Sequence, residues 1–363
     1  MVYKAIGVMS GSSLDGIDLI FVELEEMGGN WNYNIIQSHC YNYEDAWIEK
    51  LLSSTRLNAL EYQTLHADYG HYLGKKVNEF INTYHLEHQV HFVSCHGHTT
   101  FHLPEKQLTH QLGDGAAIAA ETGLPVITDL RALDVALGGQ GAPIVPIGEK
   151  LLFTGYKMFL NIGGIANISF NNESGFIAYD ICPANKVLNL LAEDRGIQYD
   201  DEGQLASKGS INHELLTRLN GMEYYFRSYP KSLPNSFGTD IIYPLIKSFN
   251  LNTEDNLRTM VAHIVNQVKK EITKNYSPAN DNILFISGGG ALNTFLIHEL
   301  SVALKEIGCS VYLPNIQVIN FKEALIIALM GALRWREQNN VMCSVTGSSR
   351  NNIGGALWLG SEG

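Results

Sequence analysis

Gly7-Val8-Met9-Ser10-Gly11-Ser12-Ser13-Leu14-Asp15-Gly16-Ile17-Asp18 and Asn161-Ile162-Gly163-Gly164-Ile165-Ala166-Asn167 are the two stretches whose reading decides the fold. Each is a turn of small residues between two apolar runs. Outward from the first, residues 4–8, 18–24 and 31–37 read as strands, the last two joined by the turn Met27-Gly28-Gly29-Asn30. A helical pattern covers 60–84, a short buried strand 90–94, a helix 116–121 stopped by Gly123, and a strand 126–128. Outward from the second, 157–160, 167–170 and 175–179 are strands, and 185–193 begins helical structure. Residues 256–276 form the clearest helix, with Leu257, Val261, Ile264, Val265, Val268 and Ile272 on one face. A strand at 282–287, a helix at 296–307, a strand at 311–313 and a buried helix at 324–335 follow. Both halves run three strands, helix, strand, helix, strand. The expected class is α/β with two similar domains.

At 363 residues the chain exceeds what one compact core holds. The expected domains are 1–150 and 151–339, with 340–363 packing back on the first. The apolar run 324–333 is too short to span a bilayer. Hydrophobic residues make up 45% and charged residues 17%, a globular composition. Lys plus Arg number 25 against 37 for Asp plus Glu, a net charge of −12, which argues against a generic nucleic-acid or anionic-membrane surface. Met1-Val2-Tyr3-Lys4 lacks the succession of a signal peptide. Cys40, Cys95, Cys182, Cys309 and Cys343 lie far apart and form no CxxC pair, so reduced thiols and a cytoplasmic location are expected.

Two glycine hairpins in equivalent places suit a nucleotide clamp, because backbone N–H groups in such turns cradle phosphate oxygens. The first adds three hydroxyls and two carboxylates, donors for phosphate and ligands for Mg²⁺. The alternative is an Asx-turn in which Asp15 and Asp18 only cap backbone. A third segment, Ile286-Ser287-Gly288-Gly289-Gly290-Ala291-Leu292-Asn293, follows a strand and is read as opening a helix, where the dipole favours an anion. It is not a dinucleotide fingerprint, and the chain has no Walker loop. His85, His88, His91, His96, His98, His102 and His110 crowd with Cys95, which invites a zinc reading. No HExxH spacing appears, and no metal centre of that kind is expected.

In these segments the chain resembles the anhydro-N-acetylmuramic acid kinase family, within the actin-like ATPase and sugar kinase superfamily. The match runs nearly end to end: GVMSGSSLDGID (7–18), SCHGHTTFH (94–102), LGGQGAPIVP (137–146), NIGGIANI (161–168), SGGGALN (287–293), Glu323-Ala324 and Val345-Thr346-Gly347 stand in the family's order. The resemblance implies two actin-like (ribonuclease H-like) domains with a nucleotide cleft between them. It implies ATP and Mg²⁺, a homodimer, and an activity. The 1,6-anhydro bond of anhydro-N-acetylmuramic acid is opened with water and O6 is phosphorylated, in cell-wall (peptidoglycan) recycling. The expected nucleotide contacts are Gly11, Ser12, Ser13, Leu14, Asp15, Gly16, Ile17 and Asp18, then Gly163 and Gly164, then Gly288, Gly289 and Asn293.

Water attacking C1 needs a carboxylate to activate it, as in an inverting glycosidase. Asp180 is the expected base. It sits in Tyr179-Asp180-Ile181-Cys182-Pro183-Ala184-Asn185, which matches a family motif usually written DTGPGN. Ile181 stands for Thr, Cys182 for Gly and Ala184 for Gly, changes that add bulk and remove a hydroxyl near the proposed site. Arg131 and Asp134 are expected to grip the sugar's hydroxyls and lactyl carboxylate, since the Arg fork suits a carboxylate. For Asp134 a surface ion pair is the alternative. His96, Gly97 and Asn185 are expected at the sugar. Glu323 begins a buried helix and either touches the sugar or complements that helix N-terminus. His98 stands where the family usually has Gln. A kinase is the leading reading, a nucleotide-binding regulator without turnover the second, and a zinc hydrolase the third.

Overall fold

A computed structural model describes residues 1–11, 14, 16–172, 175–234, 236–275 and 282–360. The chain divides into two units, Met1–Thr154 with Phe321–Gly363, and Gly155–Asn320. The first unit holds strands β1 (Val2–Ser10), β2 (Ile17–Met27), β3 (Asn30–Tyr41), β4 (Phe92–Cys95), β5 (His98–Leu103), β6 (Leu108–Leu112) and β7 (Val126–Thr128). The second holds β8 (Met158–Ile162), β9 (Ile165–Asn172), β10 (Gly175–Pro183), β11 (Asn282–Ser287) and β12 (Cys309–Tyr312); β13 (Ala356–Trp358) returns to the first.

The main sheet of the first unit runs β13-β7-β4-β1-β2-β3, and the sheet of the second runs β10-β9-β8-β11-β12. Each unit's first strand pairs antiparallel with the second on one side and parallel with the fourth on the other. This repeated order is the ribonuclease H-like unit of the actin-like fold, as expected. The central strands β1 and β2 are apolar on both faces: Ile6, Leu19, Ile20 and Phe21 are almost fully buried. Helix Ala59–Tyr84 starts with a capping box between Asn58 and Glu61 and buries Leu65, Tyr69, Leu73 and Val77. In the second unit, helix Thr253–Asn275 buries the whole face read from the sequence.

Three readings need correction. Residues 321–339 belong to the first unit, not the second. The reason is packing: a Cβ on Gly7 of β1 would meet Ala324 O at 2.1 Å, and Ser94 Oγ on β4 donates to Ile327 O at 2.7 Å. The helix there begins earlier, as Ile316–Trp335, and a non-helical Phe321 (φ −119°, ψ 16°) marks the division between units. By length and composition this helix reaches what crossing a membrane requires, yet 72% of its apolar window is buried within the protein. Finally, His98 starts β5, which pairs with β6 as a hairpin between two segments, 90–94 and 116–121, that the sequence left unconnected by any strand.

Candidate active site

Asp180 lies near the end of β10, half-buried. The β9–β10 register breaks there: Asp180 faces Asn167, Cys182 faces Ala166, and Ile181 is the extra residue of a bulge. The bulge turns both Ile181 and Cys182 inward, at 1% and 0% exposure, and leaves Asp180 on the open side. Its Oδ2 accepts from Leu233 N at 2.9 Å, and its main-chain oxygen accepts from Tyr224 OH at 2.7 Å. Oδ1 has no hydrogen-bond partner among the described residues. Burial raises its pKa above the ordinary carboxylate value, partly offset by the Leu233 N–H. A carboxylate with one oxygen held, one open and an elevated proton affinity can act as a general base.

Beside it the β8–β9 turn is locked to the next helix. Ala184 N and Lys186 N donate to Gly164 O, and Asn185 N donates to Gly163 O. Asn185 Nδ2 donates to Ile162 O at 3.1 Å. Gly163, Gly164 and Gly289 do not have left-handed φ. Beyond its chain neighbours, a Cβ on each would meet nothing nearer than 3.6, 3.6 and 3.7 Å. Neither packing nor left-handed φ accounts for these three glycines. Gly290 differs: its Cβ would strike Ile162 Cγ2 at 2.2 Å. Gly288, at φ +83°, would strike Asn161 Oδ1 at 2.7 Å. The triplet does not open a helix directly. A 3-10 turn, Gly289–Leu292, intervenes, and Asn293 Oδ1 caps helix Thr294–Lys305 through Leu296 N at 2.9 Å. Asn293 thus serves the helix start.

In the first unit, His96 follows β4 and is 4% exposed. Its Nδ1 bonds to Gly97 O at 2.9 Å, and its Nε2 accepts from Arg131 Nε at 2.8 Å. A carbonyl only accepts and a guanidinium only donates, so the neutral Nδ1–H tautomer is the one that fits. Burial and the adjacent Arg131 cation push its pKa down to about 3. Gly97 adopts φ +71°, and a Cβ there would meet Leu112 O at 2.3 Å, so no other residue fits. Arg131 also donates to Gly141 O through Nη1, and its Nη2 has no hydrogen-bond partner among the described residues. Burial lowers its pKa to about 10, with Glu323 and Asp134 opposing. Glu323, half-buried, sits two residues past the Phe321 kink and not at a helix start.

Asp134 is neither a sugar contact nor a surface charge. It is 0% exposed, and its carboxylate accepts from Gly141 N at 2.8 Å, Thr346 Oγ1 at 2.8 Å and Asn352 Nδ2 at 2.9 Å. It fixes the 137–142 loop to the C-terminal segment. Ile17 is likewise a core residue at 0% exposure, so its side chain meets no nucleotide. In the same turn, Leu14 takes φ +60°, a strained value for a bulky side chain. Gly16 packs on Cys40 and Tyr41, and Asp18 is half-buried in β2. Ser12, Ser13 and Asp15 lie outside the described residues. Among the described residues no group of three His, Cys, Asp or Glu is placed to hold a metal ion. The histidines instead disperse: His98 Nδ1 bonds Ser10 Oγ at 3.2 Å and His110 Nδ1 bonds Tyr62 OH at 2.8 Å.

A buried neutral histidine makes stability pH-dependent. The folded pKa of His96 lies below the unfolded value of about 6.5, so the unfolded chain takes up the proton first. Stability is therefore lost as pH falls through 6.5 toward the folded value. Urea unfolding at pH 7 and pH 5 should show the parent losing about 2 kcal/mol more than His96→Gln. Equal losses in both proteins would show that His96 titrates normally.

A family model for anhydro-N-acetylmuramic acid kinase matches residues 3–360. The chain belongs to the anhydro-N-acetylmuramic acid kinase family. It is a phosphotransferase with an alcohol group as acceptor. It is 32% identical over 359 residues to the anhydro-N-acetylmuramic acid kinase of Vibrio parahaemolyticus, covering 95% of each chain. It is 33% identical over 313 residues to that of Aliivibrio fischeri, covering 83% of this chain and 84% of the relative. Among solved structures, component A of the (R)-2-hydroxyglutaryl-CoA dehydratase of Acidaminococcus fermentans aligns over 90% of this chain and 96% of its own, at 12% identity and a TM-score of 0.46.

Against the anhydro-N-acetylmuramic acid kinase motif DTGPGN, the departures at Ile181, Cys182 and Ala184 fall in the hydrophobic core of the second unit, each at 1% exposure or less. They alter packing behind Asp180, not the face Asp180 presents. Sequence reasoning missed Tyr224 and Leu233, which hold Asp180, and Lys231 and Glu271 beside them. One signal was present: Glu271 interrupts the apolar face of helix Thr253–Asn275 three residues after Val268, where a lone carboxylate needs a buried partner.

Proposed function

We propose that this protein is an ATP-dependent kinase that opens 1,6-anhydro-N-acetylmuramic acid with water and phosphorylates O6. The product is N-acetylmuramic acid 6-phosphate, made for reuse of cell-wall sugars. The observation that carries this reading is the Asp180 carboxylate, half-buried at a bulge, with Oδ2 held by Leu233 N–H and Oδ1 open. In the substrate O6 is bonded to C1 and no free hydroxyl exists at that position. Asp180 takes a proton from water as the water oxygen bonds to C1. The C1–O6 bond breaks, O6 bonds to the γ-phosphorus of ATP, and ADP leaves.

The other residues receive roles from their contacts. Arg131, with Nη2 uncommitted, binds the lactyl carboxylate. The neutral His96 orients Arg131, and Gly97, Asn185 and Glu323 contact the sugar. The backbone at Gly11, Leu14, Gly16, Gly163, Gly164, Gly288 and Gly289 lines the phosphates. When bound, Mg²⁺ neutralises phosphate charge, and Asp18 is the described carboxylate of the first turn suited to hold it. Cytoplasmic placement and a homodimer complete the reading. Burial of Ile181, Cys182 and Ala184 removes the motive for a regulator without turnover.

Product analysis with Mg·ATP and a panel of anhydro and free amino sugars tests the reaction. A folded protein that phosphorylates none of the anhydro sugars overturns it. The phosphate lining is tested separately by calorimetry. Gly163→Val and Gly289→Val, whose Cβ atoms would meet nothing nearer than 3.6 and 3.7 Å beyond their chain neighbours, should each weaken ATP binding about tenfold or more, which is about 1.4 kcal/mol. Unchanged affinity in both removes the clamp.

A further inference from the structure

The base is held by a segment with no regular structure of its own. No strand or helix includes residues 227–234. Yet Leu233 N–H in that segment donates to Asp180 Oδ2 at 2.9 Å. What fixes the segment is Lys231. Its Nζ lies 2.6 Å from Glu271 Oε1, and the two side chains are 2% and 3% exposed. The other oxygen of Glu271 accepts from Tyr179 OH at 2.9 Å, and Tyr179 is the residue before Asp180. The Lys231 ammonium also stands 5.3 Å from the Tyr179 ring and 5.1 Å from the Tyr224 ring. Tyr224 OH closes the circle by donating to the Asp180 main-chain oxygen at 2.7 Å.

A buried ion pair is weak evidence for stability, because well-packed apolar residues of similar volume do as well or better. Its presence inside the core of this unit calls for a role in position. We propose that the Lys231–Glu271 pair anchors residues 229–233 as a strap that sets the placement and the proton affinity of the Asp180 carboxyl. The role of the strap in turnover rests on Asp180 being the base; its effect on the carboxyl does not.

Among the described residues, Tyr224 from the 3-10 turn Glu223–Phe226 and Cys182 from its own strand interact with the Asp180 charge, the Cys182 thiol pushed up by burial. Tyr179, Lys231 and Glu271 form the buried group that ties the segment down. The strap acts on Asp180 through the Leu233 N–H, which holds Oδ2 in place and favours the charge. Releasing the strap removes that N–H, and Lys231→Met also removes the nearby cation, so the affinity of Asp180 for its proton rises.

The test is the titration of the Asp180 carboxyl by ¹³C NMR of aspartate-labelled protein, assigned with Asp180→Asn. Lys231→Met should move the midpoint up by about one pH unit. An unmoved or lowered midpoint overturns the strap. Should Lys231→Met fail to fold because Glu271 is left charged and unpaired, Lys231→Met/Glu271→Met removes both charges and is judged by the same criterion. In turnover, Lys231→Met should lower kcat about tenfold and shift its acid limb to higher pH, with KM for ATP unchanged. A purely structural role would lower the amount of active protein and leave the pH profile in place. If the parent turns over, Asp180→Asn does not, and Lys231→Met matches the parent in rate and profile, the strap is wrong and the base stands. If the parent phosphorylates no anhydro sugar, the base is wrong, and the titration alone still decides the strap.

Discussion

Asp180→Asn lowers the rate of anhydro-sugar phosphorylation by about 10²–10⁴. The amide keeps the shape of the carboxyl and can still accept from Leu233 N–H, so the strand and the residues around it stay in place. What it loses is basicity. Because burial already disfavours the charged carboxylate at this position, removing the charge does not destabilise the fold. Melting temperature should be equal to or slightly above that of the parent, and ATP affinity should hardly change. The parent's own activity should fall on the acid side, at a pH above the ordinary carboxylate range. The direction follows from the raised pKa: protonated Asp180 cannot take a proton from water. One sample must report melting, ATP binding and product. A variant that stays folded, binds ATP and phosphorylates at the parent rate would falsify the assignment of the base. The stereochemistry at C1 gives an independent check, since one displacement by water inverts that centre and retention requires two.

The two-unit α/β fold was legible in the sequence because both halves write the same order of elements around a glycine turn. Period-two runs and the amphipathic face at Leu257, Val261, Ile264, Val268 and Ile272 are local signals, and they survive in the structure. The end of the second unit was not legible. Residues 321–339 carry an apolar pattern that fits either unit, and packing decides between them, through the close approach of Gly7 to Ala324 O and the Ser94 hydroxyl's bond to Ile327 O. The β5–β6 hairpin was hidden by histidines and threonines, which give no apolar alternation to read as strands. For the site, residue type indicated which side chains matter but not which way they face. Ile181 and Cys182 read as neighbours of the substrate because they stand beside Asp180 in the motif, although along a regular strand successive side chains alternate between faces. The bulge breaks that alternation and sends both inward. Tyr224 and Leu233 come to Asp180 from 44 and 53 residues away; the Tyr224 hydroxyl reaches the Asp180 main-chain oxygen, and Leu233 uses its main-chain N–H, a group on which side-chain identity says nothing.

Asp134 is the residue for which sequence and structure predict different experiments. A sugar contact would leave stability intact on mutation and raise KM. The structure shows a carboxylate at 0% exposure with three donors aimed at it, from Gly141 N, Thr346 Oγ1 and Asn352 Nδ2. Asp134→Ala leaves all three donors buried without this acceptor. Each such loss costs roughly 1–3 kcal/mol, less than additively within one network. The expected destabilisation is about 3–4 kcal/mol, seen in urea unfolding of the first unit's transition. Asp134→Asn is a sharper probe. Its oxygen can satisfy Gly141 N or Thr346, but its amide then meets a second donor, so it should lose roughly 1–3 kcal/mol despite its matched shape. Activity should fall indirectly in both, because Gly141 O also accepts from Arg131, whose Nε positions His96. A loosened 137–142 loop frees that arginine, and KM for the sugar rises only together with the loss of stability. Asp134→Ala unfolding within about 0.5 kcal/mol of the parent, with a raised KM, would return Asp134 to the sugar and remove it from the scaffold.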